Sequence, residues 1–243
     1  MTISAVIKII IGIVLLFVGY HALRFRLLIN KGIAISAAAV PFQRDTVGAS
    51  MRILVMGDSS AVGTGSVRPE DSVAGRIAAY YPEAEVLNFG VNGLRVAGLN
   101  EKLNNPPPGE FDLVVLQIGG NDITHRTPIA DVEKNLREVL QKAKKLADTV
   151  IILHTGDLGK APIWPPLIGR YITKQTLVLR DMYLRVVPEM GATYVDLYGA
   201  RVDDTFAKDL YRYYGVDQFH LSGDGYGVWF EEIKKVLPKG GVI

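Results

Sequence analysis

Ser59 sits in a short polar turn, Gly57-Asp58-Ser59-Ser60, directly after an apolar run. A hydroxyl placed this way can act as a nucleophile if three conditions hold. A base must lie within hydrogen-bond reach, a second group must orient that base, and donors must meet the oxyanion that develops. The chain carries candidates for each part. His220 is a base that can take a proton near pH 7. Asp217, three residues earlier, can hold the other ring nitrogen if the turn is compact. Gly93 can present a backbone N–H at close range because it has no side chain. Asn121 can donate from its amide.

Taken singly, each residue has a plainer reading. Ser59 can cap a following helix. Gly93 and Gly119 can serve turns, Asn121 and Asp122 can form Asx turns, and His220 can be a surface histidine. Other chemistries find less support. The chain has no cysteine, which excludes a disulfide scaffold, a thiolate metal site and a cysteine nucleophile. His21, His125 and His154 show no metal spacing of the HExxH kind, so neither a metal nor a cofactor is expected. His154 ends an apolar run and fits either a cleft wall or a packed core. Gly57–Gly65 superficially suggests a phosphate loop, but no Gly-Lys-Ser/Thr follows. Gly63-Thr64-Gly65 likewise lacks the third glycine of a dinucleotide fingerprint.

These residues need elements to position them. Five short runs rich in β-branched residues read as buried strands: Arg52–Met56, Glu85–Phe89, Asp112–Ile118, Thr149–Leu153 and Thr193–Leu197. Between them lie helical patterns at Glu70–Tyr81, Ile129–Ala147 and Thr173–Val187, with the last helix, Gly223–Leu237, N-capped by Ser222. Asp203-Asp204 reads as a further helix start. Strands alternating with helices predict an α/β fold with a parallel five-stranded sheet covered on both faces. In such sheets functional groups collect at the carboxyl ends of the strands. The turns after the first three strands, at 57–60, 88–93 and 119–122, are polar and glycine-rich and converge on that edge.

Charge separates the N-terminus from the rest. Residues 1–50 hold five bases and one acid, within a net charge of +2 for 243 residues. The basic excess belongs to this segment, and the body offers no footprint for nucleic acid. Ile3–Leu23 is 21 residues long with one charge, Lys8. That length and composition predict a transmembrane anchor over residues 1–23. A cleaved signal peptide and a buried core helix are the alternatives. The small residues Ala37–Ala39 lie too far past the apolar run for cleavage, and no polar face is visible between Ile9 and Tyr20. Residues 24–50 then read as a juxtamembrane amphipathic segment and linker, and 51–243 as a self-contained domain that stays active when the chain starts near Ala49. Basic residues denser after the span would keep the body in the cytoplasm, whereas the short tail with Lys8 pulls the other way. The sequence therefore sets neither the membrane side nor the oligomeric state.

The four blocks GDSS at 57–60, NFGVNG at 88–93, GGND at 119–122 and DQFH at 217–220 together resemble an SGNH (GDSL-type) hydrolase. The resemblance spans most of residues 52–237, and the first block departs from the family's GDSL only after the serine. It implies a flavodoxin-like three-layer α/β/α sandwich. It also implies Ser59 as nucleophile, Asp217 and His220 as the rest of a catalytic triad, and an oxyanion hole of the Ser59 N–H, the Gly93 N–H and the Asn121 side chain.

The expected activity is that of a membrane-anchored serine esterase. It would act on short- or medium-chain or lipid-derived acyl esters through an acyl-enzyme. Two alternatives stand beside it: an acyltransferase on the same triad, and a non-catalytic membrane-tethered binding domain. The segment Gly156–Ile172 follows the fourth strand and is rich in apolar residues. It is expected to be a mobile wall or lid in which Trp164 touches substrate. The alternative is that it packs on the domain or on the membrane.

Overall fold

The computed structural model describes residues 2–199 and 205–239; Asp203-Asp204 lies outside them. Five parallel strands form one sheet: β1 (Met51–Gly57), β2 (Ala84–Gly90), β3 (Leu113–Gln117), β4 (Thr149–Leu153) and β5 (Thr193–Tyr194). Their order is β2-β1-β3-β4-β5, the doubly wound flavodoxin-like arrangement, with its switch point between β1 and β3. Side chains alternate between the two faces of each strand and feed two separate cores. Ile53, Val55, Val115 and Ile151 point to one core. Leu54, Met56, Val114, Leu116 and Ile152 point to the other.

Helices cover both faces. On the first lie α3 (Val73–Tyr80) and α8 (Gly223–Ile233). On the second lie α4 (Val96–Lys102), α6 (Ile129–Ala143) and α7 (Pro166–Glu189). In α6, Val132, Leu136, Val139, Leu140 and Ala143 are the buried positions, the apolar stripe its sequence displays. Ser222 caps α8 by accepting from Gly225 N at 3.2 Å. The chain thus forms a three-layer α/β/α sandwich with one additional long N-terminal helix.

Several boundaries differ from the sequence reading. The fifth strand pairs over two residues only. Helix α7 starts seven residues before Thr173, because Pro166 occupies its first position, where the missing N–H costs nothing. Pro188 falls in the last turn and does not stop the helix. The segment 156–172 is consequently no long loop. It comprises a 3₁₀ turn at Leu158–Lys160, a short connection, and the first two turns of α7.

Residues 24–50 are also more than a linker. A single helix, α1, runs unbroken from Ile3 to Ala38. Residues 24–38 lie on the domain, with Leu28 buried in the first core. Beyond α1, Arg44 bridges to Val86 beside β2, and its guanidinium donates to the carbonyls of Ala78, Tyr81 and Ala84. The physical boundary therefore falls near Arg24, where the helix begins to bond to the domain.

Candidate active site

Strand β1 ends at Gly57, whose φ is +147°. A Cβ there would sit 1.9 Å from the Gln117 carbonyl oxygen of β3, so only glycine permits the strands to approach this closely. Asp58 N donates to that same carbonyl at 2.8 Å. The chain then turns into a short helix, α2 (Ser59–Val62). Asp58 is the N-cap, its Oδ1 accepting from Ser60 N at 2.9 Å and from Ser60 Oγ at 2.8 Å. Ser59 is therefore not the capping residue. It is the first residue of the helix, where a backbone N–H has no intrahelical acceptor.

His220 and Asp217 come from the turn before α8. That turn is closed by Gly215 N donating to the His220 carbonyl at 2.7 Å and by a bridge between Tyr214 and Leu221. His220 Nε2 lies 3.1 Å from Ser59 Oγ, and its Nδ1 lies 2.6 Å from Asp217 Oδ2. Asp217 Oδ1 accepts from the backbone N–H groups of Phe219 and His220, each at 3.1 Å. Asp217 is buried. Burial pushes its carboxyl up, but the bond from His220, the imidazole charge and the two backbone N–H groups outweigh that and hold it below the usual range. An ionised Asp217 accepts a hydrogen bond from Nδ1–H, which leaves the Nε2 lone pair facing the Ser59 hydroxyl.

The remaining expected site residues lie on neighbouring loops. Gly93 adopts φ +76° in an exposed turn. Asn121 is the second residue of α5 (Gly120–Thr124) and donates from Nδ2 to the Leu94 carbonyl at 3.1 Å. This bond ties the Asn121 amide to the Gly93 turn and leaves its second N–H available. Asn121 lines a cavity of about 300 Å³ together with Ser59 and His220, whereas Gly93 is not among its lining residues. Asp122 is not an Asx-turn residue. Its Oδ2 accepts from Val96 N at 3.0 Å and so caps α4 from across the sequence.

Trp164 does not line the cavity. Its indole N–H donates to the Leu158 carbonyl at 2.9 Å. Its ring packs between Phe219, at 5.8 Å, and Phe25 of α1, at 5.9 Å. The apolar walls are instead Leu158, Phe206, Phe219 and Trp229. His154 serves both roles considered for it. It borders the cavity, stacks on Tyr183 and pairs with the Tyr194 hydroxyl at 2.8 Å. Burial pushes its pKa down to about 3, so it stays neutral. Asp58, also on the cavity wall, has its carboxyl pushed up to about 6 by burial. No periodicity marks a buried carboxyl of this kind; its place next to the serine is the only signal. Among the described residues, no three His, Asp or Glu side chains converge as a metal site.

A strand-end serine, facing an imidazole that a buried carboxylate orients, is the arrangement of a serine hydrolase. Residues 55–228 match the GDSL-like lipase/acylhydrolase family, and the chain belongs to that family. No curated protein matches the sequence. Many solved structures share the fold, among them the three that follow. A lipolytic protein of the G-D-S-L family from Veillonella parvula is 18% identical, with TM-score 0.57, covering 77% of this chain and 98% of its own. An alpha/beta hydrolase enzyme from the metagenome of Lake Arreo is 19% identical, with TM-score 0.62 and coverage of 77% and 94%. An acetylxylan esterase from Geobacillus stearothermophilus is 21% identical, with TM-score 0.57 and coverage of 82% and 100%.

Proposed function

We propose that the protein is a membrane-anchored serine esterase in which Ser59, His220 and Asp217 form the catalytic triad. The observation that carries this reading is the continuous hydrogen-bonded line from Asp217 through His220 to Ser59 at a cavity wall. Ser59 Oγ attacks the ester carbonyl while His220 Nε2 takes its proton. Asp217 keeps the imidazole in the required tautomer and stabilises its cationic form. The tetrahedral oxyanion is met by the Ser59 N–H, the Gly93 N–H and the free N–H of Asn121. His220 then protonates the departing alcohol, and a water activated by the same imidazole releases the acid. The largely apolar cavity walls suit a short or medium acyl chain.

Anchoring is supported by the first part of α1. The helix contains an 18-residue window of mean hydropathy 2.5, no residue of which is buried. Cleavage after Ala39 would also remove Arg24, Leu28, Gly32 and Ser36, all of which touch the domain.

The test is covalent labelling by a fluorophosphonate, combined with hydrolysis of acyl esters of graded chain length by wild type and Ser59→Ala. Losing the nucleophile should abolish labelling and lower turnover by several orders of magnitude. Full labelling of Ser59→Ala would remove Ser59 from the mechanism. Product analysis with added alcohols then separates transfer to water from transfer to an alcohol.

A further inference from the structure

The first contacts of α1 with the domain come immediately after its apolar stretch ends at Leu23. Arg24 Nη2 donates to the Pro162 carbonyl at 2.7 Å and to the Gln218 side chain, and Arg24 Nη1 reaches the Ile163 carbonyl at 3.3 Å. Phe25 packs on Trp164. The part of the domain nearest the membrane end of α1 is therefore the connection at 162–164 and the start of α7 that follows it.

That start of α7 is unusual in what it exposes. Leu167 is 79% exposed, Ile168 46% and Tyr171 40%. Leaving three large apolar side chains of one helix end in water has a substantial cost. The exposed charge along these two stretches has one sign only, since the acid that meets this end of α7, Asp157, is buried and accepts from Thr173 Oγ1 at 2.8 Å. Arg170 and Lys174 are exposed on α7, as is Arg26 on α1. No acid occurs between Leu158 and Arg180, nor between Thr2 and Arg44. An apolar cluster fringed by bases alone matches the interfacial zone of a bilayer with anionic headgroups, where chains are apolar and phosphates negative.

We propose that Leu167, Ile168 and Tyr171 insert into the membrane surface beside α1 as a second, monotopic contact, with Arg26, Arg170 and Lys174 on the anionic headgroups. The proposal rests on the anchoring read from α1. Its consequence for the site is direct. Phe219 forms part of the cavity wall, and only the ring of Trp164 stands between it and Phe25. The cavity thus lies one aromatic ring from the first domain-bound turn of α1, close to the surface into which α7 dips. This arrangement favours esters presented by the bilayer over esters free in water.

The chain's lack of cysteine makes the test clean. Single variants Leu167→Cys and Asp112→Cys of the full chain would carry an environment-sensitive fluorophore in vesicles of phosphatidylcholine and phosphatidylglycerol. Asp112 is exposed and directly precedes β3, at the sheet edge opposite the site. The expected result is a blue-shifted label at 167, quenched by lipids spin-labelled high on the acyl chain, and an unquenched label at 112. A label at 167 that behaves like the one at 112, in chains that float with the vesicles, overturns the proposal and leaves the anchor standing. Chains that do not float overturn both. A label at 167 shielded only as the protein-to-lipid ratio rises identifies a second copy as the occupant and overturns the bilayer.

A functional arm runs in parallel. Leu167→Glu with Ile168→Glu should lower turnover of a vesicle-borne lipid ester about tenfold, a loss of about 1.4 kcal/mol of productive docking. Hydrolysis of a water-soluble acetate ester should stay unchanged. Equal loss on both substrates would point to damaged packing and count against the proposal.

Discussion

Gly32 of α1 lies against Asp217. A methyl group on Gly32 would stand 3.1 Å from Asp217 Oδ2, the oxygen that faces His220 Nδ1 at 2.6 Å. Four residues further along the same helix, the Ser36 carbonyl accepts from Asn92 Nδ2 at 2.9 Å, beside the Gly93 turn. One helix therefore touches both the carboxylate proposed to orient the base and the loop proposed to receive the oxyanion.

Gly32→Ala should lower the rate of fluorophosphonate labelling several-fold, and Gly32→Val by about a hundredfold, because small displacements of catalytic groups are expensive. Ile33→Ala, on the exposed side of the same helix, should label at the wild-type rate. Wild-type labelling by Gly32→Val would show that this contact has no bearing on the imidazole.

Asn121→Ala should reduce kcat by roughly 10²–10³ with KM little altered, as for the loss of one oxyanion donor. The lost bond to the Leu94 carbonyl is half-buried and should cost about 1 kcal/mol of stability. An unchanged kcat in the folded variant would leave Asn121 as a fastener of the Gly93 loop.

Truncation discriminates between two views of the N-terminal region. A chain beginning at Arg24 keeps every domain contact described for α1 and should hydrolyse a soluble ester at close to the full rate. A chain beginning at Ala49 loses Leu28, Gly32, Ser36 and Arg44 with its bonds to three carbonyls. It should melt lower and lose most of its activity. Equal activity of the two chains would make residues 24–48 dispensable.

Stability should also carry the signature of Asp58. Burial raises its pKa from 3.8 to about 6, so the folded state holds this proton more tightly than the unfolded chain does. The associated stability is fully present below the unfolded value and is lost as pH rises toward 6. By linkage the loss is about 3 kcal/mol. Asp58→Asn keeps an acceptor for Ser60 N but cannot ionise. The difference in urea-unfolding free energy between wild type and Asp58→Asn should therefore change between pH 4 and 6 and be flat above. A constant difference across that range would place the Asp58 pKa near its ordinary value.

Much of the sheet, and the turns that meet at the candidate site, were legible because they rest on local patterns. Buried parallel strands are continuous apolar runs, and Ser59, Asn121 and the turn at 217–220 are marked by polar glycine-rich sequence where those runs end. What the sequence concealed depends on contacts far apart in the chain. Helix α4 is seven residues long and takes its cap from Asp122, 26 positions away. Trp164 has the composition of a pocket wall, yet its partners are Phe25 and Phe219. Hydrophobic pattern tells that such a ring is buried without telling which surface it meets. The docking of α1 is hidden for the same reason, since Arg24 finds Gln218 at a separation of 194 residues. At Pro165-Pro166 the sequence did carry a start signal, because proline suits the first helical position as well as it suits a loop.

The unbroken course of α1 has a mechanical consequence. A flexible tether would let the catalytic domain sweep a hemisphere above its attachment point. A continuous helix gripped by the domain from Arg24 onward permits no such excursion. From Leu23 to Gly32 the rise is about 14 Å at 1.5 Å per residue. With the apolar stretch embedded, this distance is the fixed working height of Asp217 along the rod. Under the proposed anchoring, the protein would search for substrate by lateral diffusion in two dimensions, with its reach set by the length of a helix instead of the slack of a linker. Inserting a flexible glycine-serine segment after Leu23 would exchange one regime for the other while leaving every atom of the site in place.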